Sequence, residues 1–333
     1  MAGLDYEDEK WDEFLEQLSV KDMRRLIGMG GYKTSALKSI NKGATSDVDG
    51  PAGINAIVNG ESGVTHVTEV VLASTWNREL ARAMGESLAA EADAYAIDGI
   101  YAPAMNIHRS PFGGRNFEYY SEDAYLSGEM AEAEVSAIRD YGKYCYLKHF
   151  AMNDQETSRA GIAVWANEQS MREIYLKPFE TAVKEGGATA MMSAFNRLGT
   201  TWCGANSTLL QMVLRDEWGG GRGMVITDYD GAAYMNVDQG IRAGNDLMLS
   251  TTGDMPTDTS NTAKQAMRRA SHNILYTVVN SDAGAYTYVY KMPGWMKILI
   301  AADVVIVLLA AGLIIRGKKK RAAKIIVESG IVE

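Results

Sequence analysis

The sequence is poor in the residues that build disulfide-stapled or metal-centred folds. Its 333 residues include two cysteines, Cys145 and Cys203, and four histidines. A core of this size needs no disulfide. Cys145 lies in the apolar run Tyr144-Cys145-Tyr146-Leu147, so both cysteines read as buried free thiols. The histidines, His66, His108, His149 and His272, are scattered without metal-ligand spacing, so no metal is expected. No glycine-rich phosphate loop follows the first strand. Gly219-Gly220-Gly221-Arg222-Gly223 precedes a strand instead and reads as a helix-to-strand turn, so no nucleotide cofactor is expected. No internal repeat is visible. Met1 to Trp11 is acidic and lacks the apolar stretch of an export signal.

Positive charge is also scarce, except at one end. The net charge is −9, yet the last 18 residues carry six Lys/Arg against two Asp/Glu, so the remainder sums to −13. An acidic body lacks the basic face that phosphate binding needs, which excludes nucleic acid as the partner.

One long apolar run is present. Ile298 to Ile315 contains a single charge, Asp303. At about 1.5 Å per residue it spans roughly 27 Å, enough for a bilayer core. Trp295 and Lys297 stand at one end, and Arg316-Gly317-Lys318-Lys319-Lys320-Arg321 at the other. This pattern predicts a single transmembrane helix over 295–316, contacting lipid through 298–315. It also predicts a basic cytoplasmic tail, 317–333, and an extracytoplasmic domain in the cell membrane. Asp303 sits about one turn from the outer end, within reach of the headgroups.

The rest alternates. Helical spacing of Trp11, Phe14, Leu15 and Leu18 predicts helix over 8–28, with Ser19 and Asp22 as a capping box that opens its second stretch. Helices are predicted at Asn77–Tyr95, Glu122–Tyr141, Thr208–Glu217 and Thr262–Val279, and another from a Ser170/Glu173 cap to about Lys184. Strands are predicted within 45–51 and at Ile97–Ile107, Tyr144–Phe150, Ala188–Phe195, Gly223–Thr227 and Asp246–Leu249. Such alternation means an α/β fold with a parallel sheet. The number of units suits a TIM-like (β/α) barrel over 1–280, followed by a linker at 281–294 and the C-terminal helix.

Polar residues collect where these strands end, the functional face of a barrel. Asp49 follows the first strand. Asn106, His108, Arg109 and Arg115 follow the next. Lys148 and His149 close the third, with Asn153 and Arg159 beyond. Asn196 follows Phe195, and Asp228-Tyr229-Asp230 follow Thr227. The mixture of donors and acceptors suits a small hydroxyl-rich ligand. A carboxylate among several cations is expected to stay ionised, as a nucleophile must.

At these residues the sequence resembles glycoside hydrolase family 3 of the β-glucosidase type, over roughly residues 8–280. The matching stretches are Asp49-Gly-Pro-Ala-Gly53, Ala102-Pro-Ala-Met-Asn-Ile-His-Arg-Ser-Pro111, Gly114-Arg-Asn-Phe-Glu-Tyr-Tyr-Ser-Glu-Asp123, Lys148-His-Phe150 with Asn153, Met171 to Phe179, Leu214-Arg-Asp-Glu-Trp218 and Val225-Ile-Thr-Asp-Tyr229. The resemblance implies a retaining, exo-acting β-glycosidase that hydrolyses terminal β-D-glucosyl or related residues. Asp228 matches the nucleophile. Asp49, Arg115, Lys148, His149 and Arg159 match residues that hold the terminal sugar. Tyr229 stands beside them where the family usually has Trp, Asn55 where many members have Arg, and Phe195 where many have Tyr. Lys148-His149-Phe150-Ala151-Met152 departs from the loop of the N-acetylglucosaminidase branch.

A retaining mechanism needs a second carboxyl about 5–5.5 Å from the first. In the resembling family the acid/base comes from an α/β-sandwich domain. The expectation is therefore the C-terminal half of a domain-permuted member, with that domain and an export signal upstream. Asp154, Glu156 and Asp230 are the internal carboxylates that could substitute. The alternative is a catalytically incomplete, membrane-anchored sugar-binding or vestigial fragment. The implied partners are a β-linked glucoside or oligosaccharide, the bilayer and the sandwich domain.

Overall fold

The computed structural model describes residues 1–56, 61–219, 222–230, 234–285, 292 and 294–328. The chain divides into two compact units, Met1–Tyr288 and Val289–Glu333.

The first unit is α/β. Five parallel strands lie in the order Met224–Thr227, Ala190–Ser193, Tyr144–Phe150, Gly99–Tyr101 and Asp47–Asp49. A short antiparallel extension, Asn55–Ala56 and Glu61–Ser62, continues from the last. Every residue of the Tyr144–Phe150 strand is buried, as a sheet covered on both faces requires. Side chains still alternate with period two. Val48, Ile100, Cys145, Leu147, Met191 and Val225 pack in one core cluster with helices Arg78–Ala94 and Ala124–Asp140. Tyr101, Tyr144, Tyr146, Ala190, Met192, Met224 and Ile226 pack in another. Asp47 sits among the second group, its carboxylate accepting from Tyr144 Oη at 2.6 Å and Tyr146 Oη at 2.8 Å. Cys145 and Cys203 are buried and free, as expected.

The open edges of this sheet are joined by backbone that is not regular strand. Leu247 bridges Ile226 in parallel. Met248 N donates to Ile27 O at 2.8 Å, and Gly30 N returns to Met248 O at 3.1 Å. Asp47 N then donates to Tyr32 O at 3.0 Å. The segment Ile27–Tyr32 thus connects the last strand-like segment to the first strand. Gly30 is required there, because a Cβ would lie 2.5 Å from the Leu247 side chain.

Local signals are largely as expected. Ser19 and Asp22 form the capping box of helix Val20–Gly28, and a separate helix covers Lys10–Leu15. Asn77, Asp123 and Ser260 cap Arg78–Ala94, Ala124–Asp140 and Asn261–Val279. Thr208–Glu217 is wound as a π-helix. Four expectations are corrected. The cap ahead of Lys177–Lys184 is Asn167, whose side chain accepts from Ser170 N, so Ser170 is already inside the helical stretch. The strand expected over Ile97–Ile107 is Gly99–Tyr101 only, because Pro103 interrupts it with a cis peptide after Ala102. Ala188–Phe195 shortens to Ala190–Ser193. Asp246–Leu249 makes an isolated bridge, not a strand.

The residues just after helix Asn261–Val279 belong to the first unit. Buried Lys143, just before the Tyr144–Phe150 strand, pairs with both Asp93 and Asp282. Asp282 therefore sits at the N-terminal end of that strand. Of the stretch expected as a linker, 286–291 and 293 lie outside the described residues, as do 329–333 of the expected tail. The second unit is helix Gly294–Glu328, of which Gly294–Arg321 is long and apolar enough to cross a membrane.

Candidate active site

The inward parity carries the chemistry to the strand ends. Asp49 continues from Asp47, Lys148 from Tyr144 and Tyr146, and Asp228 from Met224 and Ile226. Lys148 is buried and donates from Nζ to Asp49 Oδ1 at 2.9 Å. Its neighbour His149 is also buried. The Lys148–His149 peptide is cis and is clamped by Asn106, whose Nδ2 donates to His149 O at 2.9 Å while its Oδ1 accepts from His149 N at 2.8 Å. Tyr119 Oη contacts His149 Nδ1 at 3.3 Å and donates to Asn153 O at 3.1 Å. Asn106 is one of the strand-end polar residues expected at this face; Tyr119 lies inside a motif stretch whose sequence gives no reason to separate it from its neighbours.

Asp228 is 8 % exposed. Its Oδ1 accepts from Tyr229 N at 2.8 Å. Its Oδ2 has no hydrogen-bond partner among the described residues and lies 3.7 Å from His149 Nε2. Burial pushes its pKa up to about 6, against the opposing pull of the Tyr229 amide and of Arg115, Lys148 and Arg159. The cations were expected to hold this carboxyl low; desolvation outweighs them, though the group is still ionised at neutral pH. Burial, with Arg115, Lys148 and Arg159, drives the His149 pKa well below its ordinary value, so its imidazole is neutral.

The two arginines arrive on loops and are held by carboxylates. Arg115 pairs with Glu118 and lies 3.5 Å from Glu156. Arg159 pairs with Glu156 at 3.2 Å and lies over the Phe195 ring, 4.8 Å from its centroid. Glu156, expected only as an alternative acid, is the shared holder of both cations. Asp154, the second alternative, pairs with Arg109 at 3.2 Å. Asp230 is tied by its amide to Leu249 O at 2.8 Å. Among the described residues, none of the three pairs with Asp228. Tyr229 is half exposed, its hydroxyl 3.0 Å from Thr251 Oγ1.

A cavity of about 510 Å³ opens beside this cluster, walled by Asp49, Gly50–Asn55, Ser62–Thr65, Arg115, Phe117, Glu118 and Lys148. Asn55, one of the departures from the resembling family, is on that wall. Asp228, His149, Arg159 and Tyr229 lie outside it. Among the described residues no cluster of His, Cys, Asp or Glu has metal-holding geometry.

The raised pKa of Asp228 has a consequence for stability. Its folded-state value, about 6, exceeds the ordinary 3.8. Ionisation therefore costs the fold on the order of 2–3 kcal/mol above pH 6, and nothing below about pH 4, where both states are protonated. Asp228→Asn should raise the urea midpoint at pH 7–8, with the gain shrinking as pH falls from 6 to 4. A gain independent of pH, or none, would contradict this account.

The family model described as Glycosyl hydrolase family 3 N terminal domain matches residues 47–271. A β-glucosidase of Rhizobium radiobacter is 35 % identical over 242 residues, covering 72 % of this chain and 29 % of that protein. Thermostable beta-glucosidase B of Acetivibrio thermocellus is 33 % identical over 277 residues, covering 80 % and 36 %. The structure of beta-glucosidase 3B from Thermotoga neapolitana in complex with glucose superposes with a TM-score of 0.74 at 34 % identity, covering 87 % of this chain and 45 % of that one. The chain thus spans about a third of the length of these curated relatives.

Proposed function

This chain belongs to glycosyl hydrolase family 3, and we propose that it forms the barrel of a retaining, exo-acting β-glycosidase with Asp228 as nucleophile and its acid/base supplied by a domain outside this chain. The observation that carries the reading is the buried Oδ2 of Asp228 at the end of a parallel strand, with no hydrogen-bond partner among the described residues. The Tyr229 amide holds Oδ1, so the lone pairs of Oδ2 remain for attack on an anomeric carbon. Asp49, Lys148, His149 and the two arginines supply the acceptors and donors that terminal sugar hydroxyls need. Tyr229, half exposed next to the nucleophile, offers a ring to a sugar face.

In the proposed first step, Asp228 Oδ2 bonds to C1 while the C1–O bond breaks, and its electron pair leaves with the aglycone oxygen. An alkoxide leaves only if protonated. Asp154 and Glu156 pair with arginines and the Asp230 carboxyl is hydrogen-bonded by Ser250, which supports an acid/base from elsewhere. A dinitrophenolate leaves without a proton. 2,4-Dinitrophenyl 2-deoxy-2-fluoro-β-glucoside should therefore label this chain alone, with the adduct on the peptide carrying Asp228 by mass spectrometry. The labelling rate should rise with pH through about 6 as Asp228 ionises. Binding of glucose without any label would favour the alternative, a sugar-holding fragment that does not turn over.

The apolar helix Gly294–Arg321, exposed along its length, supports a single-pass anchor. Its basic end at Arg316–Arg321 then faces the cytoplasm and the barrel the other side.

A further inference from the structure

A second cleft is bordered by Asp154, Gln155 and Thr157 of the loop that carries Arg159. It encloses about 580 Å³, more than the cavity beside Asp49 and within the roughly 300–1,000 Å³ usual for ligand sites. None of its lining belongs to the chemistry proposed above.

Its walls combine two kinds of surface. Trp165 and Phe112 are aromatic and 65 % and 92 % exposed. The indole is backed by backbone, since a Cβ on Gly199 would sit 3.4 Å from the ring. Arg109, Asp154 and Thr157 line the same cleft. Asp154 has its side chain nearly buried and meets Arg109 Nη1 at 3.2 Å. Arg109 Nη2 donates to Trp165 O at 3.4 Å, which ties the polar pair to the aromatic wall.

This combination selects a ligand class. A pyranose ring has an apolar C–H face that packs on an aromatic ring, and a rim of hydroxyls that both donate and accept. A purely apolar ligand would take water from Arg109, Asp154 and Thr157 and offer no hydrogen bond in its place. A polyanion would meet an arginine already neutralised by Asp154. We propose that this cleft is a second carbohydrate site, which takes a β-linked oligosaccharide independently of the pocket at Asp49. The proposal does not require turnover at Asp228. The two sites are nonetheless mechanically joined: Gly113, on the cleft wall, accepts from Glu156 N at 3.0 Å, and Glu156 holds Arg115 and Arg159.

The test is calorimetric titration of the full chain in detergent with cellotetraose and, separately, laminaritetraose. Two binding events per chain are expected for at least one glycan. Trp165→Ala should weaken one event at least tenfold and leave the other. Trp165→Tyr should restore most of the loss. Asp49→Ala should remove the opposite event. Labelling of Asp228 by the fluoroglycoside should be unchanged in Trp165→Ala, so failure here and failure of the glycosidase reading are separable. A single event in the unaltered chain, or two events that survive in both Trp165→Ala and Phe112→Ala, would overturn the proposal.

Discussion

Asp228→Ala should lower release of dinitrophenolate from 2,4-dinitrophenyl β-glucoside by roughly 10⁴-fold or more, the scale seen when a covalent nucleophile is removed. The aglycone leaves unprotonated, so the first-turnover burst of dinitrophenolate, the quantity compared, does not depend on the acid/base, which only the later hydrolysis of the glycosyl–enzyme needs. The fold should survive. Asp228 Oδ2 has no hydrogen-bond partner among the described residues, and removing a buried carboxylate relieves its desolvation. The space left by the side chain adjoins the attacked carbon, so added azide should restore release and yield the α-glycosyl azide. That product distinguishes a nucleophile from a residue that merely supports the pocket. Retention of activity in Asp228→Ala would remove the assignment.

The second large effect concerns stability. Arg215 and Asp246 are both buried, and Arg215 Nη2 meets Asp246 Oδ2 at 2.8 Å. Arg215 also donates to Gly223 O at 3.0 Å and Gly244 O at 2.7 Å, while Asp246 accepts from Asn273 Nδ2 at 2.9 Å and Val225 N at 2.8 Å. The pair therefore ties the helix before the Met224–Thr227 strand, the strand itself and the long helix Asn261–Val279 into one unit below Asp228. Arg215→Met should cost about 3–5 kcal/mol, because it leaves a buried carboxylate uncompensated. Urea unfolding measures the loss. Adding Asp246→Asn should recover part of it, since the stranded charge is then gone. A loss under about 1 kcal/mol in the single variant would show that water or a neighbour replaces the guanidinium.

Much of this was legible in the amino-acid order. Helix caps are local: Ser19 with Asp22 satisfies an amide three residues away, so the chain declares that capping box without a fold. The strand-and-helix alternation is also local, and it was enough for the α/β class. The positions of Asp49, Lys148 and Asp228 follow from period two along strands already marked by Asp47, Tyr144 with Tyr146, and Met224. The apolar run after Ile298 needs only length and composition.

Other features had no local signal. Pro103, which has no N–H to donate, ends a strand whose apolar composition continues. Leu247 and Met248 read as a strand but make an isolated bridge and join the sheet edges through Ile27 and Gly30, residues more than two hundred positions away. Glu156 reads as a spare acid until the fold brings Arg115 and Arg159 to it. Trp165 and Phe112 carry no signal in the sequence until the fold lines one cleft with them and with Arg109, Asp154 and Thr157. The sequence by itself determined the class of the fold, the strand-end identity of the acidic and basic residues and the apolar C-terminal helix, because each depends on neighbours in the chain. Only the tertiary structure decided that one oxygen of Asp228 has no hydrogen-bond partner among the described residues and that burial outweighs three cations at its carboxyl. Desolvation and hydrogen-bond partnership are set by groups that meet only when the chain closes on itself.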